Sequence, residues 1–156
     1  MSSTYLSLHY HLVFGTKNRI PSIDIPWRSR LHEYMGGTVR GLGGFPEGIG
    51  GAADHVHLLV ALKSSRCLAD VMRELKKASS AWVHEEIGQR SFAWQEGYAA
   101  FTVSATVRDA VRDAVRDAVR KCISNQEEQH RLKSFREEFV ELLEKAGVEY
   151  DPRYLD

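Results

Sequence analysis

Ala53-Asp54-His55-Val56-His57-Leu58-Leu59-Val60-Ala61-Leu62 is the stretch on which the fold turns. Ala53-Asp54 reads as a turn, and the apolar run after it carries neither Gly nor Pro, so the pattern predicts a strand over 55–62. Residues i and i+2 of a strand project to the same side. His55 and His57 therefore share one face, a few ångströms apart.

Working upstream, Gly36-Gly37, Gly41, Gly43-Gly44, Gly48 and Gly50-Gly51 suit a helix end, a turn and a closely approached backbone. No phosphate-cradling glycine motif is among them. A weak strand is expected near 44–52. Before it, a helix runs from about Pro26 to Val39, preceded by the basic loop Thr16-Lys17-Asn18-Arg19. Tyr5 to Phe14 alternates, with Leu6, Leu8, Tyr10, Leu12 and Phe14 on one face and Tyr5, Ser7, His9, His11 and Val13 on the other. That is period two, hence a strand. Downstream, Ser64 or Ser65 can cap a helix. Leu68, Val71, Met72, Leu75, Ala78, Ser79 and Trp82 carry it at helical spacing to about Ile87. Phe92 to Val103 reads as a strand interrupted near Gln95-Glu96-Gly97. The resulting order, β-α-β-β-α-β, is the ferredoxin-like arrangement of an α+β protein.

Val-Arg-Asp-Ala then occurs three times from Val107 to Ala118, and a fourth copy starts at Val119-Arg120. Each Asp precedes an Arg by three residues, which supports a helix. The valines advance by four residues, so their stripe drifts about 40° per repeat, and the helix is expected to stand partly in solvent or to cross a subunit boundary. One long helix is expected over 106–130, and a last helix from Ser134 to about Ala146, ended by Gly147. A single domain over 1–156 is expected, with a core at about 4–104 and a C-terminal helix and tail at 134–156.

Composition sets the limits. The chain has 156 residues, 43% hydrophobic and 27% charged, which excludes disordered, collagen-like and coiled-coil classes. No apolar run reaches the roughly 18 residues of a membrane span. Met1 to Tyr5 lacks the pattern of a signal peptide, and Cys67 and Cys122 are too far apart for a zinc or disulfide pattern, so a cytoplasmic protein is expected. Net charge is zero. Residues 1–80 nevertheless carry ten Lys/Arg against six Asp/Glu, and residues 81–156 eleven against fifteen, so the front half can meet phosphates.

Two strand imidazoles on one face make half of a divalent-cation site. The spacing alone is weak evidence, because His9-Tyr10-His11 repeats it. A third ligand must come from elsewhere. Gln126 is a candidate, with Cys122 one turn earlier on the same helix face.

Taken together, several motifs resemble the single-tyrosine HUH transposases, small insertion-sequence and REP-associated proteins that act on single-stranded DNA. The motifs are Tyr10-His11-Leu12-Val13-Phe14 with Thr16-Lys17-Asn18-Arg19, then Asp54 to Val60, then Trp94-Gln95-Glu96-Gly97-Tyr98 with Phe101-Thr102-Val103-Ser104. Ile123-Ser124-Asn125-Gln126-Glu127-Glu128 with His130, Ser134-Phe135 with Glu137-Glu138, and Tyr150 to Leu155 complete the set, in the family's order. The resemblance implies Mg²⁺ or Mn²⁺ held by His55, His57 and Gln126. It implies cleavage and rejoining of DNA through a covalent 5′-phosphotyrosine, and a homodimer whose long helix serves the partner's histidines. The nucleophile's position holds Cys122, a shorter side chain, so cleavage is expected to be impaired, with Tyr98, Tyr150 and Tyr154 as the other tyrosines available. Lys17, Arg19, Lys63, Arg66, Lys76 and Lys77 are the expected contacts to single-stranded or hairpin DNA. The alternatives are a non-catalytic hairpin-binding or regulatory protein that keeps the fold and, without the resemblance, an unrelated ferredoxin-like metal-binding enzyme.

Overall fold

The computed structural model describes residues 3–104, 107–113 and 135–154. Strand β1 (His9–Gly15) leads to helix α1 (Ile25–Gly41), then β2 (Phe45–Gly51), β3 (His55–Ala61), α2 (Leu68–Trp82), β4 (Ala99–Val103) and a C-terminal helix α3 (Phe135–Lys145). The four strands form one antiparallel sheet in the order β2-β3-β1-β4. Residues 108–113 are helical, while 106 and 114–130 of the expected long helix lie outside the described residues.

Alternation along β1 and β3 divides the sheet into two faces. Leu12, Phe14, Val56, Leu58 and Val60 pack against Leu31, Met35 and Val39 of α1 and Val71, Met72 and Leu75 of α2. Leu58 has no exposed surface. Truncating such a residue to Ala costs about 2–5 kcal/mol. The opposite face carries His11, Val13, His55 and His57, because Val13 pairs with His57 and Gly15 with His55. At the β4 side it is covered by Phe139 and Leu143 of α3, which pack with Val13 and Ala99.

Several boundaries differ from the sequence reading. β1 starts at His9 rather than Tyr5, because its partner β3 ends at Ala61, opposite His9. Leu62 N–H still reaches Leu8 O at 3.0 Å, but Tyr5 is 90% exposed. Helix α1 begins at Ile25 and runs two residues past the expected Val39, to Gly41. Gly36 faces β2, where a Cβ would make ordinary contacts with Ile49 and Pro46 at 3.5 and 3.6 Å. Cys67, not Ser64 or Ser65, occupies the N-cap of α2, because Arg66 N–H closes a turn onto Lys63 O first. The helical run does reach Ile87 as expected, but its last turn, Val83–Ile87, is wide and is ended by Gly88 at φ +84°. The last strand shortens to 99–103, and Trp94 touches β1's end through a single bridge to Thr16. Among the described residues no helix is long and apolar enough to cross a membrane.

Candidate metal and nucleic-acid site

The two histidines of β3 do stand on one face. Their ring centroids are 5.1 Å apart and the rings are nearly perpendicular. Each Nδ1 has a partner. His55 Nδ1 lies 2.7 Å from Asp54 Oδ1, and His57 Nδ1 lies 3.0 Å from His11 Nε2. His11 comes from β1 and stacks on His57 at 5.2 Å. A histidine whose Nδ1–H donates to a neighbour presents the Nε2 lone pair to a metal, and such partners fix the ring's orientation. Both rings can adopt that tautomer.

Burial alone would raise the Asp54 pKa. The hydrogen bond and charge of His55, with the charge of Arg19, outweigh it and hold the carboxyl below its usual range. A carboxylate that accepts firmly keeps the His55 proton on Nδ1. Burial, then the charges of His55 and His11, push His57 well below its ordinary pKa. Burial lowers His11 to about 4. Imidazole must be neutral to ligate, and burial favours the neutral form of His57 and His11. Among the described residues no group of three His, Cys, Asp or Glu side chains is placed to hold a metal. Cys122 and Gln126 lie outside the described residues.

The six cations expected to meet DNA do not gather in one patch. Lys17 and Arg19 sit at the histidine end, in a tight turn held by Thr16 N–H to Asp54 O at 2.8 Å and Lys17 N–H to Ala93 O at 2.9 Å. Asn18 and Arg19 both take left-handed backbone, φ 56° and 55°, an uncommon pair for non-glycine residues. Lys63 and Arg66 follow the other end of β3, and at about 3.3 Å per residue His57 and Lys63 are roughly 20 Å apart. Lys77 is exposed on α2. Lys76 is not directed at solvent. Its Nζ donates to the carbonyls of Gln95, Glu96 and Gly97 at 2.9, 3.1 and 2.6 Å, and burial lowers its pKa to about 8.

A cavity of about 310 Å³ opens between β4 and α3, lined by Tyr98, Phe101, Phe139, Tyr150 and Asp151. Phe101 joins it to the histidines, its ring 6.1 Å from that of His11. Sequence reading missed Asp54, His11 and Gln95 as parts of the site. The signal for His11 was present, since alternation put it on the same side of β1 as Val13.

The family described as "Transposase IS200 like" matches residues 4–126. Among solved structures, the fold resembles a transposase candidate from Deinococcus radiodurans R1, at TM-score 0.60 and 21% identity over 75% of this chain and 95% of that one. It also resembles a REP-associated tyrosine transposase bound to a REP hairpin, at TM-score 0.52 and 16% identity, over 78% of this chain and 72% of that one. Comparison with curated proteins gives no match.

Proposed function

The chain belongs to the IS200-like transposase family, and from that premise we propose that it binds hairpin or otherwise folded single-stranded DNA through the histidine face of its sheet. The observation that carries this reading is the pair His55 and His57, each with Nδ1 hydrogen-bonded behind it. The hairpin-bound neighbour of similar fold supports the choice of DNA as partner. We read the β-α-β-β-α-β order as ferredoxin-like and the whole of 1–156 as one domain. A helix over 106–130 then carries Cys122 and Gln126, in a cytoplasmic homodimer that exchanges this helix.

In this reading His55, His57 and Gln126 hold Mg²⁺ or Mn²⁺, through Nε2 of each imidazole. The ion, when bound, offsets charge on a scissile phosphate. The protein's own residues orient the strand. Lys17 and Arg19 lie at the histidine end to meet backbone phosphates, and the aromatic cavity beside Phe101 offers unpaired bases a surface for stacking. A family tyrosine at position 122 would attack phosphorus through its oxygen. A bond to the DNA 5′-phosphate forms, the P–O3′ bond breaks, and the 3′ oxygen leaves as a hydroxyl after taking up a proton. Cys122 is shorter than tyrosine, so strand cleavage is impaired here, and hairpin binding without chemistry is the second reading.

Substitution at position 122 separates the two. Cys122→Tyr is expected to create Mn²⁺-dependent nicking of a hairpin oligonucleotide, with a covalent protein–DNA band on denaturing gels, where the present chain gives none. If Cys122→Tyr binds hairpins but never nicks, the chain is a binding module. If neither protein binds hairpins, the DNA reading fails.

A further inference from the structure

Lys76 was expected to meet DNA, yet all three of its N–H groups face consecutive carbonyls of the Gln95-Glu96-Gly97 loop. The ammonium also sits over the rings of Phe14 and Tyr98, at 5.4 and 5.6 Å. One turn further along α2, Ser79 Oγ accepts from Trp94 Nε1 at 2.9 Å. Helix α2 thus holds residues 94–97 at two points.

The held loop grips the end of β1. Gln95 N–H donates to Gly15 O at 2.9 Å, and Gly15 N–H donates to Gln95 Oε1 at 2.8 Å. Gly15 lies opposite His55 in the ladder. The next residue, Thr16, binds Asp54 O through its N–H at 2.8 Å and its hydroxyl at 3.3 Å. The fit is close, since a Cβ on Gly15 would stand 3.1 Å from the backbone Asp54 O and 2.9 Å from Gln95 Oε1. A path of short hydrogen bonds therefore runs from α2 through the 94–97 loop and Gly15-Thr16 to Asp54-His55.

We propose that Lys76 and Gln95 are positioning residues: they clasp the open end of the sheet and fix the orientation of the Asp54–His55 pair. The inference rests on His55 and His57 being metal ligands. It assigns Lys76 a role inside the protein instead of a contact to a DNA phosphate. Outer groups that orient a ligating histidine typically change metal affinity 10–100-fold when removed.

The test uses the full chain with Mn²⁺ as the probe. Gln95→Met removes the acceptor for Gly15 N–H at similar length, and Gln95→Glu restores it. Calorimetry is expected to show Mn²⁺ binding about tenfold weaker in Gln95→Met and within about threefold of the parent in Gln95→Glu. In the metal-free protein, ¹H–¹⁵N spectra of the imidazoles are expected to show the His55 ring resonances moved in Gln95→Met, with those of His32, across the sheet, unmoved. Lys76→Met is expected to follow Gln95→Met while keeping metal-free hairpin affinity within about twofold; should it fail to fold, the Gln95 pair carries the test. The clasp is overturned if Gln95→Met leaves both the His55 spectrum and the Mn²⁺ affinity unchanged. It is equally overturned if Lys76→Met spares the ring spectrum but lowers hairpin affinity and its salt slope by about one, the mark of a phosphate contact. If the parent takes up no Mn²⁺, the metal reading fails separately, and the ring spectra still decide the clasp.

Discussion

The chain contains two His-x-His pairs, His9-Tyr10-His11 and His55-Val56-His57, on neighbouring strands and on the same face of one sheet. Spacing alone makes them equivalent. Their surroundings differ. In the β3 pair both rings have an Nδ1 partner and stand 5.1 Å apart. In the β1 pair the rings serve separate ends of the face. His9 Nδ1 lies 3.1 Å from Glu47 Oε1, whereas His11 supports His57. Register is the cause. His57 faces Val13 and lies diagonal to His11, within reach of a long side chain. Asp54 immediately precedes His55, while Leu8 precedes His9. Period two brings two rings to one side, and the neighbouring strand decides which groups stand behind each ring.

The largest expected effect breaks this asymmetry directly. His55→Ala or His57→Ala is expected to weaken Mn²⁺ binding by more than about 100-fold, beyond the usual loss for an outer group. His9→Ala is expected to change it less than about threefold. Calorimetry on the three variants checks this, and equal losses from both pairs would erase the distinction.

A second contrast lies across the sheet. His32 in α1 is also buried, but its Nε2 has no hydrogen-bond partner among the described residues. Burial, then the charge of Arg28, lowers its pKa to about 4. The unfolded chain protonates this ring near pH 6.5, so stability is fully present above that pH and falls as pH drops toward 4. This one group costs about 2 kcal/mol at pH 5 and about 3 kcal/mol at pH 4. Urea unfolding at pH 7 and pH 5 is expected to show a smaller pH-dependent loss in His32→Leu, by about 2 kcal/mol. His11, at about 4 by burial, adds a similar acid sensitivity that the variant keeps.

These contrasts also show what the sequence could reveal. Alternation in β1 and the breaker-free run from His55 gave the strands and the histidine face, because they depend only on the two-residue period. The start of β1 was not legible, since it depends on where β3 stops pairing. Nor were the parts played by Asp54, His11 and Gln95, which meet the β3 histidines or their neighbours through a turn, a diagonal and a loop. Lys76 read as a surface cation because nothing local announces three carbonyls about twenty residues ahead.

An intermediate effect sharpens the supporting role of His11. His11→Ala is expected to weaken Mn²⁺ binding about tenfold, as loss of an outer partner does, and Asp54→Asn to act in the same direction. If His11→Ala matches His57→Ala in the same titration, His11 is itself a ligand, and the β1 pair is half a metal site after all.

The smallest effect compares the two ends of the face. Lys17 lies at the histidine end, and Lys63 is roughly 20 Å from His57 along the strand. A phosphate held near His55 and His57 can be shared with the first and not with the second. Each lost phosphate contact weakens binding across sequences and lowers the salt slope by about one. Lys17→Ala is therefore expected to reduce hairpin affinity about threefold at moderate salt and to flatten the slope. Lys63→Ala is expected to leave both within about twofold. Anisotropy titrations of a labelled hairpin at several salt concentrations measure the two slopes. A flatter slope for Lys63→Ala would mean that the bound strand runs the full length of β3, and the histidine end would lose its special claim on the DNA.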